Sequence, residues 1–194
     1  MLTGSLKASQ HFFSYQDVAD DYQVICMLEN KLANASEGDI IEIKLSNRKP
    51  VKKDIQFWLK YTINKVVSIE ENESEIVIRV IKTANPSTPT TKDFKICDKT
   101  PECCNDIIDN IYISILKGEQ VNLFFEKDGI LLLSNAPCKR NFKHSDNTSC
   151  NLQSHKDKLA QLNMMGVTFH VKNSGLNEYN LNKNNLLISN ISIE

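Results

Sequence analysis

Six cysteines are the residues of this chain best suited to covalent chemistry, and their neighbours sort them. Cys103 and Cys104 follow Lys99-Thr-Pro-Glu, where Thr100 can cap a helix and Pro101 can stand in its first turn. Both thiols then fall in that first turn, where backbone N–H groups without partners favour a thiolate and sharpen it as a nucleophile. The alternative at the same spacing is one thiol packed beneath the helix and the other inert on its surface. Adjacent cysteines could otherwise close only a strained vicinal disulfide. Cys138, in Ala136-Pro-Cys-Lys-Arg140, has two cations beside it, which favour thiolate and attract an anionic sulfur species. Cys97 ends the stretch Phe94-Lys-Ile-Cys and reads as a core residue of a strand.

Other reactive types suggest less. Cys138, His144 and Cys150 are evenly spaced and could gather a metal with Cys103 or Cys104. Structural zinc, however, favours cysteine pairs roughly two to four residues apart, and none occurs, so neither a metal nor a cofactor is expected. His155 and His170 lack a sequence-identifiable partner and read as structural or exposed. Asp20 and Asp21 suit the N-terminus of a helix better than acid–base work, and Lys52-Lys53 reads as a solvated helix start. No glycine-rich phosphate loop, nucleophile elbow, kinase signature or HExxH is present.

The elements that must hold these residues form two groups. Thr83-Ala-Asn-Pro-Ser-Thr-Pro-Thr-Thr-Lys92 interrupts periodic apolar sequence with two prolines and small polar residues, and reads as a boundary. The expected organisation is one domain over 1–83, a linker over 84–92 and a second domain over 93–194. Before the boundary, 11–18 reads as a strand and 20–35 as a helix with Tyr22, Ile25, Cys26, Glu29, Leu32 and Ala33 on one face. Ile40-Ile-Glu-Ile-Lys-Leu45 alternates as a strand, and Pro50 opens a helix with Ile55, Trp58, Leu59 and Thr62 on one side. Segments 66–69 and 76–80 read as paired strands. The order is β-α-β-α-β-β.

After it come a strand at 94–97 and a helix with Ile107, Ile108, Ile111, Tyr112 and Ile115 inward, stopped by Gly118. A strand at 120–125 with little polar alternation implies cover on both faces. A turn at Asp128-Gly129 and a polar loop over 134–150 lead to a helix with Leu159, Leu162 and Met165, closed by Gly166. A strand at 167–171, a helical piece at 176–181 and a strand at 188–193 complete an α/β pattern with a mostly parallel sheet.

Composition bounds the partners. With 23 basic against 24 acidic residues the net charge is -1, so no global field draws the chain to nucleic acid or an anionic membrane. No apolar run approaches the roughly 20 residues needed to span a bilayer, and Met1-Leu-Thr-Gly-Ser-Leu-Lys7 lacks the apolar core of a signal peptide. A cytoplasmic protein with mostly reduced thiols is the expectation.

In the first half, Glu37-Gly-Asp39 before a strand, Lys53-Asp-Ile55 in the second helix and Val66-Val-Ser-Ile-Glu-Glu71 before the last strand resemble TusA (SirA-like) sulfur carriers over residues 11–83. In the second, Lys117-Gly-Glu-Gln-Val-Asn-Leu-Phe-Phe-Glu-Lys-Asp-Gly-Ile-Leu-Leu-Leu133 followed by Met165-Gly-Val-Thr-Phe-His-Val171 resembles the DsrE family. Together the order resembles the fused YedF architecture. The resemblance implies a β-α-β-α-β-β two-layer sandwich, then a three-layer α/β domain.

It also implies a sulfur-relay role in which a cysteine persulfide is accepted from, and passed to, other sulfur-transfer proteins, commonly in a homo-oligomer. The family cysteine positions hold other residues: Asp21-Tyr22 where TusA proteins carry Cys-Pro, and Lys172 where DsrE proteins carry theirs. A gapped alignment would instead put Cys26 on the TusA position; without the gap Cys26 is a core residue. The carriers left are Cys104, Cys103 and Cys138, and the alternative is a catalytically degenerate binding or assembly partner.

Overall fold

A computed structural model describes residues 9–11, 22–97, 101–135, 142–143, 149–150, 152–188 and 191–194, with side chains over 22–97, 104–135, 155–188 and 191–194. The chain is mixed α/β and divides into two compact units, Met1–Pro89 with Leu116–Gly118, and Thr90–Ile115 with Glu119–Glu194. Among the described residues no helix is long and apolar enough to cross a membrane.

The first unit runs β1 (Ser9–His11), α1 (Gln23–Ala33), β2 (Ile40–Ser46), α2 (Lys49–Tyr61), β3 (Lys65–Glu71) and β4 (Glu75–Ile81). Its sheet order is β1-β2-β4-β3, with β1 parallel to β2 and the other pairs antiparallel. Strict alternation in β2 sends Ile41, Ile43 and Leu45 to one face, opposite Val80, Ile78 and Ile76 of β4, and all six are buried. Glu42 and Arg79 share the other face as an ion pair at 2.8 Å. Asn72 closes the β3–β4 hairpin, its Oδ1 accepting the N–H groups of Ser74 and Glu75 at 2.9 Å each. Between Val66 and Ser68 a β-bulge interrupts β3, an edge strand, and leaves Val67 exposed.

The apolar face is covered by Ile25, Leu28 and Leu32 of α1 and Val51, Ile55 and Trp58 of α2. Trp58 has no exposed surface, and burying its ring contributes about 4–6 kcal/mol at about 25 cal/mol per Å². Its indole N–H donates to Glu29 Oε1 at 2.7 Å. The expected helix partners Asp20 and Asp21, and the expected strand residues 12–18, lie outside the described residues.

The second unit runs β5 (Thr91–Ile96), α3 (Pro101–Leu116), β6 (Gln120–Phe125), a 3-10 helix (Lys127–Leu133), β7 (Phe142–Lys143) and β8 (Ser149–Cys150). It continues through α4 (Leu152–Met164), β9 (Thr168–Val171), α5 (Asn173–Glu178), a short 3-10 turn (Lys183–Asn185) and β10 (Ile191–Ile193). β5 takes up Thr91 and Lys92, the last two residues of the stretch read as a linker. β7 and β8 pair antiparallel inside the segment read as a polar loop.

The main sheet has the order β10-β9-β6-β5, and every pair is parallel. Each crossover steps one strand in the same direction, and the two long helices of the unit, α3 and α4, are bonded to each other. Tyr112 of α3 donates to Gln161 Oε1 of α4 at 3.0 Å, and Lys158 of α4 to Asn105 Oδ1 of α3 at 3.2 Å. One face of the sheet is sealed: Ile96, Val121, Leu123, Phe125, Phe169 and Val171 are buried, with Phe125 and Phe169 stacked at 5.7 Å. On the opposite face of β6 the alternate residues Asn122 and Phe124 are half-buried. The Phe124 ring there stacks on His170 at 4.6 Å.

Candidate functional site

The parallel register aligns the last residues of four strands, Ile96 of β5 beside Phe125 of β6, Val171 of β9 and Ile193 of β10. The next residue on each chain therefore falls in one row along the carboxyl edge of the sheet: Cys97, Glu126, Lys172 and Glu194. Open α/β sheets bind ligands at this edge, where the strands give way to loops.

Glu126 is the centre of the row. Its N–H donates to the Ile96 carbonyl at 3.0 Å, which ties the end of β6 to the end of β5. Its Oε1 accepts Lys95 Nζ at 3.1 Å and its Oε2 accepts the Cys97 S–H at 3.8 Å. The hydrogen bond and charge of Lys95, with smaller help from Lys172 and Cys97, hold this carboxyl below the usual glutamate range. Cys97 is a half-exposed thiol.

On the other side of Glu126, His170 Nδ1 lies 3.2 Å from Glu194 Oε1. The His170 Nε2 is buried without a hydrogen-bond partner. Phe124, Glu126, His170, Lys172 and Glu194 line a cavity of about 20 Å³, room for one water. The Glu194 N–H donates to the Val171 carbonyl at 3.0 Å and its carbonyl accepts the Asn173 N–H at 2.8 Å, so Glu194 is fastened to the start of α5.

The loops behind the row are held closely. Gly129 passes against Ile96, where an added Cβ would meet the Ile96 carbonyl oxygen at 2.2 Å. The Tyr179 hydroxyl donates to Asp128 Oδ1 at 2.8 Å, joining the end of α5 to the turn after β6. This bond, chiefly, pushes the phenol up to about 12.

Of the thiols expected to carry chemistry, Cys104 has no exposed surface in α3. The Cys103 side chain and Cys138 lie outside the described residues. Cys97 corrects its reading as a strand core residue: β5 ends one residue earlier, and the thiol turns to Glu126. Cys26 is buried in α1, where burial pushes its thiol up against a weak hydrogen bond from Asn30 Nδ2 at 3.7 Å. His155 is buried in α4. His144 and the Cys150 side chain fall outside the described residues, and among the described ones no group of three His, Cys, Asp or Glu is placed to hold a metal.

Sequence reasoning had no reason to join Glu126, Lys95, His170 and Glu194. The usable signal was that the apolar segments ending at Phe125, Val171 and Ile193 are each followed at once by a charged residue. No protein-family model matches the chain, and neither curated proteins nor solved structures give a significant match.

Proposed function

We propose that the chain is a sulfur-relay protein, with a TusA-like two-layer sandwich followed by a DsrE-like α/β domain in the YedF order, and that it carries sulfane sulfur as a cysteine persulfide. The observation that carries the reading is a half-exposed thiol, Cys97, in the row of polar groups at the carboxyl edge of the parallel sheet. The β-α-β-α-β-β order of the first unit and the parallel sheet of the second support the two resemblances.

In the reaction, the Cys97 thiolate attacks the terminal sulfane sulfur of a polysulfide. A new S–S bond forms as the donor's S–S bond breaks, the electron pair leaves on the shortened polysulfide, and the thiol proton passes to solvent. A partner thiolate then attacks the outer sulfur and expels the Cys97 thiolate. Sulfane sulfur is transferred without an external oxidant. The partner is another sulfur-transfer protein, and the working form is a homo-oligomer. Cys103 and Cys138 remain carriers in this reading. Cys104 would need its helix to open first.

The test is intact and peptide mass after exposure to polysulfide. One added sulfur on Cys97, abolished by Cys97→Ser, supports the assignment; sulfur on Cys103 or Cys138 alone moves the carrier within the same function. Inertness of all six thiols overturns it in favour of the second reading, a binding or assembly partner with no transfer step. That reading is favoured by the sealed Cys104 and by Lys172 at the position of the DsrE cysteine.

A further inference from the structure

We propose that Asp128-Gly129 is a latent site of backbone isomerisation, held unreacted in the folded protein by the hydrogen bond from the Tyr179 hydroxyl. The inference is independent of the sulfur-relay reading.

The hazard lies in the pair itself. Asp128-Gly129 is the one Asp-Gly step in the chain, and Asn-Gly does not occur. A glycine has no Cβ to shield its nitrogen, which can therefore reach the side-chain carbonyl carbon of the aspartate before it. The Gly129 nitrogen attacks Asp128 Cγ, a C–N bond forms as a C–O bond breaks, and one water departs to leave a five-membered succinimide. Water then adds at the main-chain carbonyl of the ring and breaks its bond to nitrogen. The chain now runs through Cβ and Cγ, with the former main-chain carboxylate as the side chain. The water lost in the first step returns in the second, so mass is unchanged and no oxidant takes part.

The fold withholds both reactants. The Gly129 N–H donates to the Glu126 carbonyl at 3.1 Å, and the pair lies in the 3-10 helix, whose backbone rotation does not suit the ring. Asp128 Oδ1 accepts the Tyr179 hydroxyl at 2.8 Å, across 51 positions of sequence. The strut that carries Tyr179 is itself anchored, because Gly175 of α5 closes on the Ile130 side chain. The product has no room. It lengthens the main chain by one carbon beside Gly129, where an added Cβ would already meet the Ile96 carbonyl oxygen at 2.2 Å. Isomerisation therefore displaces Ile96, and with it Cys97 and the bond that the Ile96 carbonyl accepts from the Glu126 N–H.

The experiment ages the full-length protein at mildly acid pH and reads each linkage by electron-transfer mass spectrometry, which distinguishes α- from β-aspartyl peptides of equal mass. Wild type is expected to isomerise at Asp128 more slowly when folded than in urea. Tyr179→Phe is expected to raise the folded rate about two- to tenfold, the factor that one net hydrogen bond contributes to a local closing equilibrium. Replacing Tyr179 by 4-aminophenylalanine keeps an N–H donor on the same ring and should restore the wild-type rate. Asp128→Glu, whose ring would need a sixth member, should yield no product. Equal rates in wild type and Tyr179→Phe overturn the proposal, and so does a folded wild type that reacts as fast as in urea. Deamidation at Asn173-Ser174, where α5 begins, reports general loosening. If Tyr179→Phe raises it by the same factor, or if 4-aminophenylalanine fails to restore the rate, the role of the hydroxyl is refuted.

Discussion

Gly129 bears on both the stability of the second unit and the geometry of its edge, and replacing it with alanine tests how tightly the two are joined. The new Cβ would stand 2.2 Å from the Ile96 carbonyl oxygen and 2.8 Å from its carbon. That is about 1 Å or more short of van der Waals contact, and the obstacle is backbone, which cannot rotate aside. The same oxygen accepts the Glu126 N–H, and the next residue is Cys97, so whatever moves to admit the methyl moves the row.

Overpacking of this kind costs about 1–3 kcal/mol. In a unit near 100 residues each kcal/mol lowers the melting temperature by about 4–8 °C, so a drop of at least about 4 °C is expected by differential scanning calorimetry. Cys97 alkylation should change in parallel, because displacing Ile96 displaces the residue bonded to it. Gly166→Asn is the control. Gly166 has φ +89 and no atom within 4 Å of an added Cβ, and asparagine tolerates that backbone, so the melt should stay within about 2–3 °C of wild type. A Gly129→Ala protein that melts with wild type and leaves Cys97 unchanged would refute the close approach and the coupling drawn from it.

Two pH effects follow from other groups. Burial raises the Glu29 carboxyl above its ordinary 4.5 despite the Trp58 N–H and the charge of Lys82, so the favourable contribution present below that value is lost as pH rises through the raised one. Urea titrations should show the first unit weakening over that window in wild type, with the slope flattened in Glu29→Gln; a parallel slope in the variant contradicts the assignment. Tyr179, raised to about 12, should leave its phenol un-ionised at pH 11 in ultraviolet titration, and Tyr179→Phe should remove that part of the late step. The raised value means its contribution is intact below the ordinary 10.0 and lost through about 12.

Much of the first unit was legible because its periods are clean. Ile40-Ile-Glu-Ile-Lys-Leu45 alternates without a break, and only one of its faces can be buried. Pro50 near the start of α2 and the buried Ile55 and Trp58 were legible for the same reason. Failures came where a single residue decides the outcome. Phe94-Lys-Ile-Cys97 continues an in–out pattern that says nothing about where pairing stops, and it stops at Ile96. The stacking of Phe124 on the His170 imidazole was likewise not legible, because it needs the parallel pairing of β6 with β9. The pairing of Cys97 with Glu126 was illegible because the two are 29 residues apart and meet only through parallel register, although the charged residues that close three of the apolar segments hinted at the row.

The bulge at Val67 has a use beyond the sandwich that contains it. A border strand with an unbroken ladder is an invitation to a neighbouring molecule, and seven regular residues of β3 would offer one. The extra residue kinks that border and spoils its spacing, so crowded copies find no straight seam along β3. Deleting Val67 would straighten it and favour fibrous stacking over dissolved protein.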